Sequence, residues 1–82
     1  MKFIVELKPK AEKDLKNMDR TVSRRVYDAL ISLENGLEGD IKKLTNHFPE
    51  YRLRVGDWRV IFDIEGDKII IYRIRHRKEA YR

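Results

Sequence analysis

The sequence predicts an α+β fold of order β-α-α-β-β-β, with a helical hairpin packed on one face of a mostly antiparallel four-stranded sheet. Three observations carry this expectation. Apolar residues recur with period two over residues 2–8, at helical spacing over residues 9–37, and with period two again from Tyr51 onward. Two Gly-Asp pairs, Gly56-Asp57 and Gly66-Asp67, interrupt the second alternating stretch where hairpin turns belong. The chain has 82 residues, 41% of them hydrophobic, enough for one domain around one modest core.

Each element has a local reason. Phe3, Val5 and Leu7 alternate with Lys2, Ile4, Glu6 and Lys8, which gives a strand with one strongly apolar face. Pro9 stops that strand and suits the first turn of a helix, where its missing N–H would be unpaired anyway. Ala11, Leu15 and Met18 follow at helical spacing, so a short helix is expected over residues 9–18. Asp19 is placed to cap a second helix, in which Val22, Val26, Ala29, Leu30, Leu33 and Leu37 form one stripe. Asn35-Gly36 supplies its stop. Arg20, Arg24, Arg25, Asp28 and Glu34 occupy the opposite, solvated face. The paired helices can bury their stripes only on the sheet. Residues 38–49 read as a connection, anchored by Ile41 and Leu44. Strands are expected over residues 51–55, 58–64 and 68–75.

The first turn sets a register with consequences for charge. Glycine first in a two-residue loop suits a type II′ hairpin. With Gly56-Asp57 as that loop, Arg54 opposes Arg59 and Arg52 opposes Ile61. Tyr51, Leu53, Val55, Trp58, Val60, Phe62 and Ile64 then share an apolar face that receives the helices. Arg52, Arg54 and Arg59 share the other. Like charges directly opposed on a ladder are destabilising, so three converging arginines read as an anion site on a rigid platform, for which the planar guanidinium fork is suited. The bland alternative is that each arginine snorkels outward or pairs with an acid such as Asp63. Continuing the alternation past Gly66-Asp67 or Glu65-Gly66 places Ile69, Ile71 and Arg73 on the helix side, and Ile70, Tyr72, Ile74 and His76 on the arginine side. The end, RIRHRKEAYR, interleaves Arg73, Arg75, Arg77, Lys78 and Arg82 with Tyr81, a pattern that suits single-stranded RNA.

Composition agrees and excludes rivals. Lys and Arg number 19 against 14 Asp and Glu, a net charge of +5 that suggests a polyanionic partner. No cysteine is present, which removes thiolate chemistry and fits a reducing cytoplasm. No apolar run approaches the ~18 residues of a membrane span, and MKFIVELKPK is too short and too charged for a secretory signal. His47 and His76 lie far apart without cysteines, so a zinc site is not expected. No glycine-rich phosphate loop, no serine with a histidine partner and no carboxylate cluster is evident. Neither a metal nor any other cofactor is expected.

Nearly the whole chain resembles the RelE/ParE superfamily of small bacterial and archaeal toxins, and in particular its RelE-type, mRNA-cleaving branch. The resemblance lies in the helical hairpin, in LTNHFPEYRLRVGDWRVIF and in the closing HRKEAYR. It implies one toxin domain over residues 1–82, acting in the cytoplasm on mRNA in the ribosomal A site. The 2′-hydroxyl attacks the neighbouring phosphate without a metal, and a cognate antitoxin wraps and blocks the toxin. It implies catalytic roles for Arg52, Arg54, Arg59, Arg77 and Tyr81. Some relatives carry a lysine matching Arg54 that is proposed as general base. Arginine cannot take that part, which makes His76 the expected base, with Tyr81 or a ribosomal group as alternatives. A chain closing at Arg82 is also expected to lack the further C-terminal helix of some relatives. Ile61, Ile70, Tyr72 and Ile74, with the charged helix surface, are the expected docking ground for the antitoxin. Two rival readings stand beside this one: a ParE-like non-catalytic toxin that inhibits DNA gyrase, and an RNA-binding module without chemistry.

Overall fold

The computed structural model describes residues 2–78. Seven elements follow in order: β1 (Ile4–Leu7), α1 (Pro9–Lys16), α2 (Arg20–Glu34), β2 (Asp40–Lys43), β3 (Tyr51–Val55), β4 (Trp58–Glu65) and β5 (Lys68–His76). The sheet has five strands in the order β1-β5-β4-β3-β2, not four. The additional strand, β2, lies in the stretch expected to be a connection. It pairs antiparallel with β3, and Ile41 opposite Leu53 turns toward the core. β1 runs parallel to β5, and the other neighbours are antiparallel.

Local chemistry explains the boundaries. Pro9 opens α1, and Asp19 caps α2 by accepting a 3.2 Å hydrogen bond at Oδ2 from the Thr21 N–H. Gly56 has φ of +59°, and Asp57 after it keeps a negative φ, the combination a type II′ turn requires. Glu65 pairs with Lys68, so Gly66-Asp67 is the second turn. Gly39 precedes β2 with φ of +132°, and a Cβ there would lie 2.6 Å from Leu53 Cδ1. Both facts demand glycine at the entrance to the edge strand.

The core lies between the helices and one face of the sheet. Ala11, Val26, Leu30 and Leu33 of the helices meet Leu53, Val60, Phe62, Ile69, Ile71 and Ile74 of the strands. Tyr51 stacks on Phe62 at 5.6 Å across β3 and β4.

One irregularity redirects the second half of the sheet. Ile61 pairs with Arg73, yet the next residue, Phe62, pairs with Ile71, so Tyr72 is an extra residue on β5. Such a bulge reverses the alternation beyond it. Ile74 therefore faces the helices and is 2% exposed in the core, and His76 stands opposite Trp58 on the helix side. This corrects the expected placement of Ile74 and His76, whereas the Arg73 guanidinium does reach a helix, at Asp14 of α1.

Candidate nucleic-acid interface

The β3–β4 register is the one the Gly56-Asp57 turn predicts, with Arg54 opposite Arg59 and Arg52 opposite Ile61. The bulge then adds a residue that alternation from the sequence misses. Arg75 stands opposite Arg59, so Arg54, Arg59 and Arg75 form a row across three adjacent strands. Asp40 opposes Arg54 at the β2 end of the row. No signal in the sequence announces the bulge, and without it Arg75 falls on the wrong face.

The arginines are held differently. Arg52 Nη1 donates to the Asp40 carbonyl at 2.9 Å and lies 3.4 Å from Asp40 Oδ1, and only 15% of its side chain is exposed. Its acid is thus Asp40, while Asp63 lies opposite Ile70. Arg59 Nη1 donates to the carbonyls of Gly56 and Trp58, each at 3.0 Å, which folds the guanidinium over the turn. Arg54 is exposed, with no hydrogen bond or ion pair to another described residue. Arg77 extends the cluster: its N–H donates to the Asp57 carbonyl at 2.8 Å, and its Nη1 lies 3.9 Å from Asp57 Oδ1. By register Arg52, Arg54, Arg59 and Arg75 belong to one sheet face, and Arg77 stands beside the Gly56-Asp57 turn.

Asp14 of α1 explains why Arg73 is not part of that row. β1 pairs with β5 only as far as Ile71, which leaves the edge of β5 open beyond it. Asp14 fills the gap. Its Oδ2 accepts from the Ile74 N–H at 2.9 Å and from Arg73 Nε at 2.8 Å, and its Oδ1 accepts from Arg73 Nη2 at 3.0 Å. Burial alone would raise the pKa of this carboxyl. The Arg73 fork, the Ile74 N–H and the charges of Arg73 and Arg75 outweigh burial and hold it below its ordinary value.

His76 does not stand beside Arg54 and Arg59. Its ring meets Trp58 edge-on at 5.5 Å, and it lines a cleft with Asp14, Asn17, Met18, Trp58, Arg73 and Arg75. Its Nδ1 accepts a long 3.4 Å hydrogen bond from the Lys78 N–H. Tyr81 lies outside the described residues. Of the expected docking residues, Ile61, Ile70 and Ile74 are 3%, 4% and 2% exposed within the chain itself, which leaves Tyr72 as the accessible one.

What the arrangement can do follows from its charge. A row of guanidiniums offers several N–H donors to one phosphate and its developing negative charge. Among the described residues no group of His, Asp or Glu is placed to hold a metal ion, and no helix is long and apolar enough to cross a membrane.

Comparison with known proteins gives the chain its relatives. Residues 5–81 match the family described as the ParE toxin of type II toxin–antitoxin systems, parDE. Toxin RelE3 of Methanocaldococcus jannaschii is 35% identical over 74 residues, which is 84% of this chain and 84% of that protein. The toxin in the RelB-RelE antitoxin–toxin complex from Methanococcus jannaschii superposes with a TM-score of 0.76 at 32% identity, over 92% of this chain and 93% of that one. The archaeal RelE-RelB complex from Pyrococcus horikoshii OT3 gives a TM-score of 0.79 at 26% identity, over 98% and 100% of the two chains. The chain therefore belongs to the RelE/ParE superfamily and is a RelE-family toxin of the type II toxin–antitoxin class.

Proposed function

We propose that this toxin is a ribosome-dependent endoribonuclease that cuts mRNA in the A site and so stops translation. The observation that carries the reading is the row Arg54, Arg59 and Arg75, with Arg52 on the same face and Arg77 beside the turn at Asp57. In the proposed step, the RNA 2′-oxygen loses its proton and bonds to the adjacent phosphorus. The bond from phosphorus to the 5′-oxygen breaks, and that oxygen takes up a proton. The products are a 2′,3′-cyclic phosphate and a 5′-hydroxyl, and no metal is required. Arg54, Arg59 and Arg75 bind the scissile phosphate and stabilise the charge that builds on its pentacoordinate transition state. Arg52, fixed by Asp40, and Arg77, beside Asp57, serve the neighbouring phosphate oxygens and the leaving oxygen. Tyr81 stacks on a base next to the cut.

Arg54 cannot accept the proton. His76 stands opposite Trp58 and away from Arg54 and Arg59, so the base comes from Tyr81 or from the ribosome. A cognate antitoxin binds the toxin, as RelB accompanies RelE in the related archaeal complexes, and its place is the basic face, whose charge it masks. The site of action is the cytoplasm, where the ribosomes are.

The family description, which names ParE, favours a second reading, a non-catalytic inhibitor of DNA gyrase. A bare RNA-binding module is the third. Five gathered arginines serve phosphate chemistry better than they serve a protein surface, and this ranks cleavage first. Primer extension on mRNA from cells expressing the toxin separates the three. Cuts at A-site codons support cleavage, intact mRNA with gyrase-dependent DNA damage supports the second reading, and intact mRNA with undamaged DNA supports the third.

A further inference from the structure

Away from the arginine row, the chain exposes aromatic surface that the fold does not use. Phe48 is 68% exposed. Its ring meets Tyr72, the bulge residue, edge-on at 5.5 Å, and Lys8 Nζ lies 5.8 Å from the centre of the Tyr72 ring. Tyr72 and Pro49 line an open groove whose other walls include Lys8, Pro9 and Lys10. The loop that presents Phe48 is closed at its base. Leu44 N–H donates to the Glu50 carbonyl at 2.6 Å, Lys43 pairs with Glu50 at 3.6 Å, and His47 Nδ1–H donates to the Pro49 carbonyl at 3.0 Å. A large apolar ring held out in solvent by a pinned loop, beside a second ring and two lysines, marks a binding surface better than it marks packing.

We infer that Phe48 and Tyr72 form a stacking subsite for one nucleobase of the RNA strand whose phosphate the arginine row holds, with Lys8 and Lys10 facing the phosphates that flank that base. The inference rests on the RNA-cleaving reading. Flat apolar walls with a cationic rim match a base between two phosphates. No acid lines the groove itself, and Asp14 and Glu50 are engaged by Arg73 and Lys43. Tyr72 lies three residues before Arg75 on β5, or about 10 Å at ~3.3 Å per residue. That span covers about three nucleotides at the ~3.4 Å rise of a stacked strand, and fewer if the RNA is extended. The subsite thus reads a base within three nucleotides of the cut.

The test uses the full chain on ribosomes programmed with an mRNA in which abasic nucleotides replace, one at a time, the three positions on either side of the cut. Phe48→Ala raises the half-saturating toxin concentration about ten- to a hundredfold, the usual cost of one lost base stack, and Phe48→Trp restores it. One abasic position causes a similar loss with wild type and no further loss with Phe48→Ala. Wild-type half-saturation by Phe48→Ala overturns the inference, as do losses that multiply. So does a variant that binds RNA normally and loses only antitoxin, since the groove then serves a protein. If wild type cuts nothing, the catalytic reading falls on its own account. The subsite is then decided by fluorescence anisotropy with a short 2′-O-methyl RNA, where wild type binds about tenfold more tightly than Phe48→Ala, and equal binding refutes the subsite.

Discussion

Arg54→Gln separates the work of the arginine row from its effect on folding. Arg54 is exposed, stands between Asp40 on β2 and Arg59 on β4, and has no hydrogen-bond partner among the described residues. Opposed residues on an antiparallel ladder lie about 4.5–5.5 Å apart at Cα. Two unit charges about 6 Å apart in water interact by about 0.7 kcal/mol, and physiological salt roughly halves that. Removing the Arg54 charge relieves repulsion from Arg59 and forfeits attraction to Asp40, two terms of similar size and opposite sign. Stability should therefore change by less than about 0.5 kcal/mol, the range of an unremarkable surface substitution. Catalysis should respond very differently. Loss of one preorganised donor to a developing oxyanion costs about 2.7–4 kcal/mol, or roughly 10²–10³ in rate. Urea unfolding monitored through Trp58 reads the first quantity, and single-turnover cleavage of ribosome-bound mRNA reads the second. A rate within threefold of wild type, or a loss of stability above about 1 kcal/mol, would refute the reasoning.

Further predictions probe the parts around the row. Arg59→Ala should slow cleavage about a hundredfold or more and also weaken the β3–β4 turn by about 1 kcal/mol, because its guanidinium binds the Gly56 and Trp58 carbonyls; unchanged cleavage by the folded variant would remove it from the site. His76→Ala should leave the pH profile of cleavage unchanged from pH 5 to 8, since the bulge puts the ring beside Trp58; a lost ionisation in that profile would return His76 to the mechanism. Asp14→Asn should cost about 1–3 kcal/mol, seen in thermal melts as about 4–8 °C per kcal/mol. The folded pKa of Asp14 is depressed below 3.8, so its contribution is fully present above that value and is lost as pH falls through the lower folded value. The variant should accordingly show a flatter acid limb than wild type. Gly39→Ala should destabilise by more than about 1 kcal/mol, because its positive φ and the nearby Leu53 methyl both exclude a Cβ; a neutral urea midpoint would contradict this.

The sequence makes local devices legible and hides distant ones. The Asp19 cap, the Pro9 start and the Gly56-Asp57 register depend on residues within a few positions of each other, and all three stand as read. With them comes the placement of Arg52, Arg54 and Arg59 on one face. β2 escapes notice because a four-residue edge strand, Asp-Ile-Lys-Lys, offers one apolar residue and no alternation to see. The bulge at Tyr72 escapes because its cause is tertiary. β5 changes partners there, from β1 to the Asp14 carboxylate that takes the Ile74 N–H, and nothing local to Ile-Tyr-Arg marks that exchange. One extra residue then puts Arg75 opposite Arg59 and His76 opposite Trp58, the reverse of the faces that alternation alone gives, from a single slip in parity.

An RNA-cleaving centre at the arginine row is identified most directly by the chemistry of the ends it leaves. Purified toxin is incubated with ribosomes programmed with a defined mRNA, and the fragments are mapped and their termini identified for wild type and Arg54→Gln. Expected are a cut within the A-site codon, a 2′,3′-cyclic phosphate and a 5′-hydroxyl, and product formation slowed about a hundredfold or more in the variant. Intact mRNA in the presence of ribosomes, or equal cutting by wild type and Arg54→Gln, would contradict this.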